Sequence, residues 1–247
     1  MRKTKIFLIG VVLALTTGVG WAQSHISNSQ IIAEIQDKLY HAKVPKHGDV
    51  QVAFENGAAT LTGTVDSVGV KEDALNAARK VDDVTSVVDN IRVHAADVTP
   101  RQIVEAARKE LVTYPFFSIF DWASLTAEGG TLTISGAVTQ PYKKGDIGNF
   151  LEHVKGVETL NNELKVLPNS LFDDQTRRSI ARAIFRDPYF VNYANQALPP
   201  IHIVVDNGNV TLEGVVNSPV DKAKAENDAR FAATFFSLTN NLQVERR

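Results

Sequence analysis

The hydrophobic and polar positions of this chain follow one order of patterns, and that order occurs three times. Apolar residues at helical spacing come first, followed by two alternating segments, a second helical pattern and a final alternating segment. Apolar spacings of three to four residues predict amphipathic helices, and strict alternation predicts strands with one buried face. The first helix of each copy is carried by Ile31, Ile35 and Leu39, by Ile103, Ala107 and Leu111, and by Ile180 and Ile184 in a helix that starts near Asp173. The chain is therefore predicted to contain three α-β-β-α-β modules.

The two alternating segments in the middle of each module contain a pair of glycines separated by five residues. The pairs are Gly57 and Gly63, Gly130 and Gly136, and Gly208 and Gly214. The first glycine of each pair ends an Asn-Gly or Gly-Gly dipeptide, which supplies the positive φ angles of a tight hairpin turn. The second is expected where the outgoing strand bulges or comes close to another backbone. A phosphate-binding loop is the alternative, but no lysine follows and no helix opens at the first glycine.

The second half of each module is predicted to return to the sheet as a parallel strand. The second helix begins after Ser67, at Gln140-Pro141 and at Ser218-Pro219, which suit the cap and first turn of a helix. The final strands are predicted at residues 87–93, 160–166 and 238–244. A strand, helix, strand connection implies a right-handed crossover between parallel strands. The predicted fold class is α+β, with tandem modules at residues 27–95, 98–167 and 171–245, each a three-stranded mixed sheet packed on two helices.

Residues 1–22 have the pattern of a cleaved secretory signal peptide. Arg2, Lys3 and Lys5 precede an apolar run at residues 6–15, and Gly20 and Ala22 place small residues at the cleavage site. An uncleaved N-terminal anchor is the alternative. The chain has no cysteine, which excludes a lipoprotein anchor, a disulfide and cysteine-ligated zinc. We therefore expect a periplasmic protein that is soluble or peripheral to a membrane.

The charge balance restricts the class of partner. The chain has 26 basic and 28 acidic residues, a formal net charge of −2, and loss of the signal peptide would make it more acidic. A net negative charge argues against nucleic acid as a partner. Binding to an anionic bilayer would need a local basic or aromatic patch.

The repeated α-β-β-α-β unit with its paired glycines resembles the BON domain, the module of the osmotically inducible periplasmic protein Y and related envelope proteins. The best-preserved segments are residues 207–216 and 154–166, where Gly156-Val157 matches a Gly-Val pair before the last strand. Asp83-Val84 and Thr234-Phe235 stand there in the other copies, which puts the third turn in question. The resemblance implies a periplasmic or outer-membrane-associated protein, envelope maintenance or osmotic-stress protection, affinity for phospholipid surfaces and no catalytic activity.

The side chains that usually perform catalysis or bind metals form no recognisable pattern. The six histidines are dispersed, and although His41 and His47 could meet in a loop, no carboxylate motif accompanies them. Asp173 and Asp174 suit a helix cap and a dipole partner. A nucleophile-elbow motif is absent from the sequence. We predict no catalytic residue, no metal, no cofactor and no small-molecule substrate.

The modules differ most in the connector between the first helix and the first strand, where binding specificity tends to lie. The second and third connectors are rich in aromatic residues, and three arginines share one face of the adjoining helix at four-residue spacing. The candidate lipid- or partner-binding residues are Phe116, Phe117, Trp122, Arg178, Arg182, Arg186 and Tyr189, with Arg177 beside them. The alternative is that Phe117, Phe120 and Phe190 close the cores or the interfaces between modules, and that the arginines are simply solvated.

Two functions follow from these residues. In the first, the aromatic connectors insert shallowly into an anionic phospholipid surface while the arginines contact its phosphates. In the second, the aromatic connectors or exposed strand edges bind an envelope protein or another copy of the chain, and the protein is an interaction scaffold.

Overall fold

The computed structural model describes residues 27–94 and 97–245, so the predicted signal peptide lies outside the described residues. The fold class is confirmed as α+β, with three small mixed sheets, each accompanied by helices. The first unit consists of α1 (Asn28–His41), β1 (Gly48–Glu55), β2 (Ala58–Val65), α2 (Val68–Arg79) and β3 (Ser86–Val93). The second consists of α3 (Pro100–Thr113), β4 (Trp122–Glu128), β5 (Thr131–Val138), α4 (Pro141–Glu152) and β6 (Thr159–Val166). The third consists of α5 (Leu171–Arg186), α6 (Val191–Ala194), β7 (Ile201–Asp206), β8 (Asn209–Val216), α7 (Pro219–Ala232), β9 (Ser237–Asn240) and β10 (Gln243–Val244).

In every unit the middle strand of the sequence is also the central strand of the sheet. It is antiparallel to the strand before it and parallel to the strand after the second helix, as the crossover prediction requires. The last strand of the third unit differs from its prediction. It is interrupted at Asn241 and Leu242, so β9 pairs with the first half of β8 and β10 with its end. The domain boundaries stay predictions.

Each unit has its own hydrophobic core between the sheet and the two helices. Alternate residues of the central strand are buried, because one face of the strand meets the helices. In the first unit the core includes Leu61 of β2, Ile35 of α1 and Ala78 of α2, and all three are inaccessible to solvent. The helical and strand periodicities of the sequence therefore identify the core faces correctly.

The paired glycines shape the hairpins as predicted. In the first hairpin Asn56 and Gly57 both have positive φ angles, 50° and 82°, so they form the tight turn. The second glycine of each pair has another role. Gly136 has a φ of 131°, and a Cβ atom there would lie 2.1 Å from the carbonyl oxygen of Trp122 on β4. That position therefore excludes a side chain.

Two helix starts differ from their predictions. Ser67 occupies the N-cap of α2, but its hydroxyl makes no capping hydrogen bond. Asp173 is not a cap, because Ser170 caps α5. Asp173 instead lies buried in the first turn of α5 and accepts hydrogen bonds from the amides of Asn207 and Gly208, at 3.0 and 2.8 Å. This carboxylate ties α5 to the hairpin turn between β7 and β8.

The first and second units are joined by a reciprocal pair of backbone hydrogen bonds. The amide of Val68 donates to the carbonyl of Val157, and the amide of Gly156 donates to the carbonyl of Asp66, both at 2.8 Å. The side chain of Val68 also packs on the core of the second unit. These contacts hold the two units in a defined orientation.

An ion pair lies beside this junction. Nε2 of His153 donates to Asp73 of the first unit at 2.9 Å, and Nδ1 donates to the carbonyl of Asn149 at 2.6 Å. Burial by itself lowers the pKa of His153, but the two hydrogen bonds and the charge of Asp73 raise it above its ordinary value. Both ring nitrogens face acceptors, so the protonated imidazole fits this site.

We expect Gly136→Ala to lower the free energy of unfolding by about 2 kcal/mol or more, because the new methyl group would overlap the Trp122 carbonyl at a positive φ. Gly145→Ala in α4 is the matched control, since a Cβ atom there meets nothing within 4 Å. It should raise stability by about 0.5–1 kcal/mol through helix propensity. Urea unfolding followed by circular dichroism measures both, and equal effects would contradict this reading of the hairpin.

We also expect His153 to make stability dependent on pH. Since its pKa is raised in the folded protein, its contribution is present below the unfolded pKa and is lost as the pH rises through the folded value. His153→Gln should therefore reduce the loss of stability between about pH 6 and about pH 9 by about 0.5 kcal/mol, a small effect because the pair is partly exposed. His41→Gln is the control, because within the described residues the polar and ring partners of His41 belong to its own helix. An unchanged pH profile in the His153 variant would rule this contribution out.

Candidate functional site

The aromatic connector of the second unit lies mostly at the junction with the third. Phe117 packs on the core of the second unit, whereas Phe120 packs on that of the third. Trp122 is partly buried, and its ring lies 5.2 Å from the ring of His202 on β7. The amide of Ile203 also donates to the carbonyl of Ile119 at 2.7 Å. The structure therefore favours the alternative in which this connector closes cores and an interface.

A buried carboxylate organises the same connector. Asp121 is inaccessible to solvent and accepts hydrogen bonds from the amide and hydroxyl of Ser118, the amide and hydroxyl of Thr139, and Nζ of Lys143, at 2.7–2.9 Å. Burial by itself raises the pKa of Asp121, but the hydrogen bonds from Lys143 and Thr139 outweigh it and hold the pKa below its ordinary value. The backbone carbonyl of Asp121 accepts a further bond from Nδ1 of His202, at 2.6 Å. Asp121 thus links α4 of the second unit to β7 of the third.

The connector of the third unit is also largely internal. Phe190 is completely buried in the core, and Tyr193 is nearly so. The hydroxyls of Tyr189 and Tyr193 donate to the two oxygens of Asp221 on α7, both at 2.6 Å. Burial and the bond to Asp221 raise the pKa of Tyr193 to about 12. Tyr189 is half exposed, but its hydroxyl is already committed to α7.

Phe116 is the candidate aromatic residue that projects most from the second unit, with 56% of its surface exposed. Its ring contacts the rings of Tyr114 and Tyr142 edge-on, at 5.6 and 6.0 Å. Of the aromatic candidates, Phe116 and Tyr189 therefore remain at the surface. Within the described residues, neither forms a ring contact or hydrogen bond with the arginines of α5.

The three arginines at four-residue spacing do share an exposed face of α5. We call Arg178, Arg182 and Arg186 the arginine stripe. Across residues 27–94 and 97–245, none of them pairs with a carboxylate, and Arg182 contacts only the hydroxyl of Ser179, at 3.2 Å. Arg177 is predicted to contact anionic groups beside them, but its side chain is not available at the surface. It is buried and donates to Asp174 at 2.5 Å and to the carbonyl of Val205 at 2.6 Å.

The most exposed large apolar side chains lie at one end of the third unit. We call Leu171, Phe172, Phe231 and Phe236 the apolar apex. Leu171, Phe231 and Phe236 are 81%, 81% and 83% exposed, and Phe172 is about half exposed. The rings of Phe172 and Phe236 meet over Gly208, since a Cβ atom there would lie 3.5 and 2.7 Å from them. Exposed phenylalanines grouped in this way are typical of a binding surface.

Two of these positions, those of Phe231 and Phe236, are polar in the other two units. The amide of Phe236 donates to the carbonyl of the hairpin glycine, as do those of Thr85 and Glu158 in the first and second units, at 2.8 Å in each case. The site of Phe231, five residues earlier, is occupied by Lys80 and His153. An apolar apex is therefore specific to the third unit and is not a requirement of the shared fold.

Two changes in helix length build the apex. α5 has 16 residues and α7 has 14, whereas the corresponding helices of the other units have 14 and 12. The turn before the last strand also differs. Asp83 and Gly156 have positive φ angles of 70° and 94°, whereas Ala233, which ends α7, is extended. The turn that contains Thr234-Phe235 therefore differs in backbone conformation from the corresponding turns of the first two units.

Leu171 of the apolar apex lies on the same side of α5 as the arginine stripe. Leu171, Gln175, Arg178, Arg182 and Arg186 recur at intervals of four, three, four and four residues, so they lie on one side of the helix. All five are exposed. A single surface of the third unit therefore begins with an apolar side chain of the apex and continues with three unpaired positive charges.

The apolar apex should contribute little to folding. We expect Phe231→Gln combined with Phe236→Thr to change the free energy of unfolding by less than about 1 kcal/mol, because both rings are exposed. Phe190→Ala in the same unit should cost about 3–5 kcal/mol, since it opens a cavity in the core. Urea unfolding compares the two. A large loss in the double variant would show that the apex is part of the core.

Neither a metal centre nor a membrane span is found in the part of the chain that the structure describes. No group of three or more histidine, aspartate or glutamate side chains there is arranged to hold a metal ion. No helix among residues 27–94 and 97–245 has the length and apolar character needed to cross a bilayer.

Comparison with solved structures gives distant similarities. The C-terminal domain of CdsD, a structural protein of the type III secretion system of Chlamydia trachomatis, is 17% identical over 90% of this chain and 100% of its own, with a TM-score of 0.25. A second structure of CdsD is 18% identical over 86% and 93%, with a TM-score of 0.27. The PrgH periplasmic domain is 11% identical over 84% and 100%, with a TM-score of 0.22. TM-scores this low support no conclusion about the function of this chain.

Sequence comparison identifies the family. The comparison with curated proteins gave no match. The BON domain matches residues 27–95 and 172–246, which are the first and third units with their paired glycines. The second unit has the same element order and strand pairing. Because the matched residues cover more than half of the sequence, the chain belongs to the BON domain family.

Proposed function

We propose that this chain is an exported, non-enzymatic protein of the bacterial envelope that binds anionic phospholipid surfaces through its third unit. In this proposal residues 1–22 direct export to the periplasm, and the second unit is a third BON domain. Membership of the BON domain family supports the envelope role, including maintenance of the envelope or protection under osmotic stress. The observation that carries the lipid function is the apolar apex, whose Leu171 lies on the same side of α5 as the unpaired arginine stripe.

The two parts of this surface match the two layers of an anionic membrane boundary. Apolar side chains of the apex enter the boundary between headgroups and acyl chains, while the guanidinium groups stay at the level of the phosphates. Removing an exposed phenylalanine side chain from water is worth about 2 kcal/mol, and a basic residue near an anionic leaflet about 1 kcal/mol. Contributions of this size produce reversible peripheral binding.

The arrangement also reconciles lipid binding with the net negative charge of the chain. The arginine stripe places three positive charges along about 12 Å of helix, because each residue advances the helix by about 1.5 Å. At physiological ionic strength charges farther away than about 8 Å are largely screened, so the acidic residues elsewhere act weakly on this face. Local charge decides the interaction.

Cosedimentation with vesicles tests the proposal. The protein should bind vesicles of phosphatidylglycerol and phosphatidylethanolamine, bind phosphatidylcholine vesicles much less, and lose affinity as salt is added. Replacing Arg178, Arg182 and Arg186 by glutamine should lower the partition coefficient on the order of 100-fold and remove most of the salt dependence. Phe231→Gln with Phe236→Thr should lower it by about tenfold or more while the salt dependence remains.

A matched control variant undergoes the same change in net charge as the arginine variant, but in another unit. Lys38, Lys43 and Lys46 are exposed in the first unit, and their replacement by glutamine removes the same three charges. This variant should bind vesicles nearly as well as the unmodified protein. If the control loses as much binding as the arginine variant, the effect is one of net charge and the proposed surface is wrong. If no vesicle binds, crosslinking in cells would test the scaffold function instead.

A further inference from the structure

A cavity of about 230 Å³ lies between the second and third units, away from the apolar apex. The side chains of Leu111 on α3, Phe117 and Trp122 line it from the second unit, and Pro200 and Val215 from the third. Arg108 of α3 also lines it and is exposed to solvent. The walls are therefore mostly apolar, with one cationic group beside them.

The cavity is a product of the junction and is held by polar contacts behind it. His202 also lines it, and the rings of Trp122 and Phe117 lie 5.2 and 5.9 Å from the His202 ring. Nδ1 of His202 is committed to the carbonyl of Asp121. Burial lowers the pKa of His202, which favours the neutral imidazole beside the apolar wall.

The cavity and the apolar apex are at opposite ends of the third sheet. Pro200 precedes β7 and Val215 lies near the end of β8, whereas the apex surrounds the hairpin turn that joins the two strands at Gly208. Six residues of β7 separate these ends by about 20 Å. A ligand in the cavity would therefore not contact the proposed membrane-binding surface.

The size and chemistry of the cavity select one class of ligand. A dry cavity of about 150 Å³ holds a benzene molecule, and drug-sized ligands occupy about 300 Å³ or more, so this volume suits one short alkyl chain. Arg108 forms no ion pair with any residue of the described ranges, although a guanidinium group matches carboxylates and phosphates well. We propose that the cavity binds a single-chain anionic amphiphile, with its alkyl chain between Phe117, Trp122 and Val215 and its headgroup on Arg108.

Such an amphiphile could be a free fatty acid or a lysophospholipid, which share an alkyl chain and an anionic head. Binding can be measured with a full-length Trp21→Phe protein, in which Trp122 is the sole tryptophan. Titration with decanoate and with decyl phosphate, below their micelle concentrations, should shift Trp122 emission saturably to shorter wavelength. Calorimetry should give one molecule per chain. Tighter binding of decanoate would indicate a fatty acid, and tighter binding of decyl phosphate a phospholipid derivative.

Probes with the same alkyl chain and different headgroups isolate the contribution of the negative charge. Decyl maltoside and decyltrimethylammonium carry the same alkyl chain without the negative charge, and each should bind about tenfold more weakly or worse, which corresponds to about 1.4 kcal/mol. Arg108→Gln should weaken decanoate by a similar factor and leave decyl maltoside unchanged. Arg101→Gln, an exposed arginine on the same helix, is the control and should change neither.

A second variant tests the cavity itself. Val215→Phe adds volume at its partly exposed wall and should abolish the saturable shift for every decyl probe. The apex variant Phe231→Gln with Phe236→Thr should bind decanoate normally, so failure of this site and failure of the vesicle surface are distinguishable. The proposal is overturned if Trp122 emission does not saturate, if the cationic probe binds as tightly as decanoate, or if neither Arg108→Gln nor Val215→Phe alters binding.

Discussion

The relation between the second and third units depends on one buried carboxylate. Asp121 is enclosed by five hydrogen bonds from Ser118, Thr139 and Lys143, so its charge is compensated where water cannot reach it. A buried charge that loses its partners is strongly unfavourable, so the loss of one partner would destabilise the whole hydrogen-bonded connector. With the connector fixed in this way, its backbone presents carbonyls to His202 and Ile203, and its aromatic side chains divide between two cores. The interface and the cavity beside it follow from that constraint.

The three units show how one scaffold acquires different surfaces without a change of topology. Strand order, paired glycines and the crossover are common to all of them. What differs is the length of two helices and the residue that follows the last turn, where Thr85 and Glu158 are replaced by Phe236. These positions contribute little to the core, so they are free to change. The third unit has thereby gained an apolar surface that the first two lack.

The sequence predicts the fold well because periodicity and turn chemistry are local. The spacing predicts either a bulge or a close approach to another backbone at Gly136, and the structure shows the close approach. The candidate binding surface is harder to predict from the sequence, because the exposure of a side chain depends on contacts with residues that are distant in the sequence. Trp122 looks like an exposed aromatic residue until β7 is placed beside it, and Arg177 differs from Arg178 by a rotation of about 100° that turns it toward Val205. Alignment of the three copies on their paired glycines shows that Phe236 stands where the other copies have the polar residues Thr85 and Glu158.

The reciprocal amide and carbonyl hydrogen bonds between the first two units determine how their junction responds to changes of side chain. Asp66, Val68 and Val157 contribute main-chain atoms to these bonds, so a change of side chain there leaves the donor or acceptor in place. Gly156 is the exception, because its φ is 94° and a Cβ atom there would lie 3.0 Å from Val98. The other junction has one main-chain bond, from Ile203 to Ile119, and depends otherwise on the side chains of Asp121 and His202. The geometry of the second junction therefore depends more on the identity of particular side chains than that of the first.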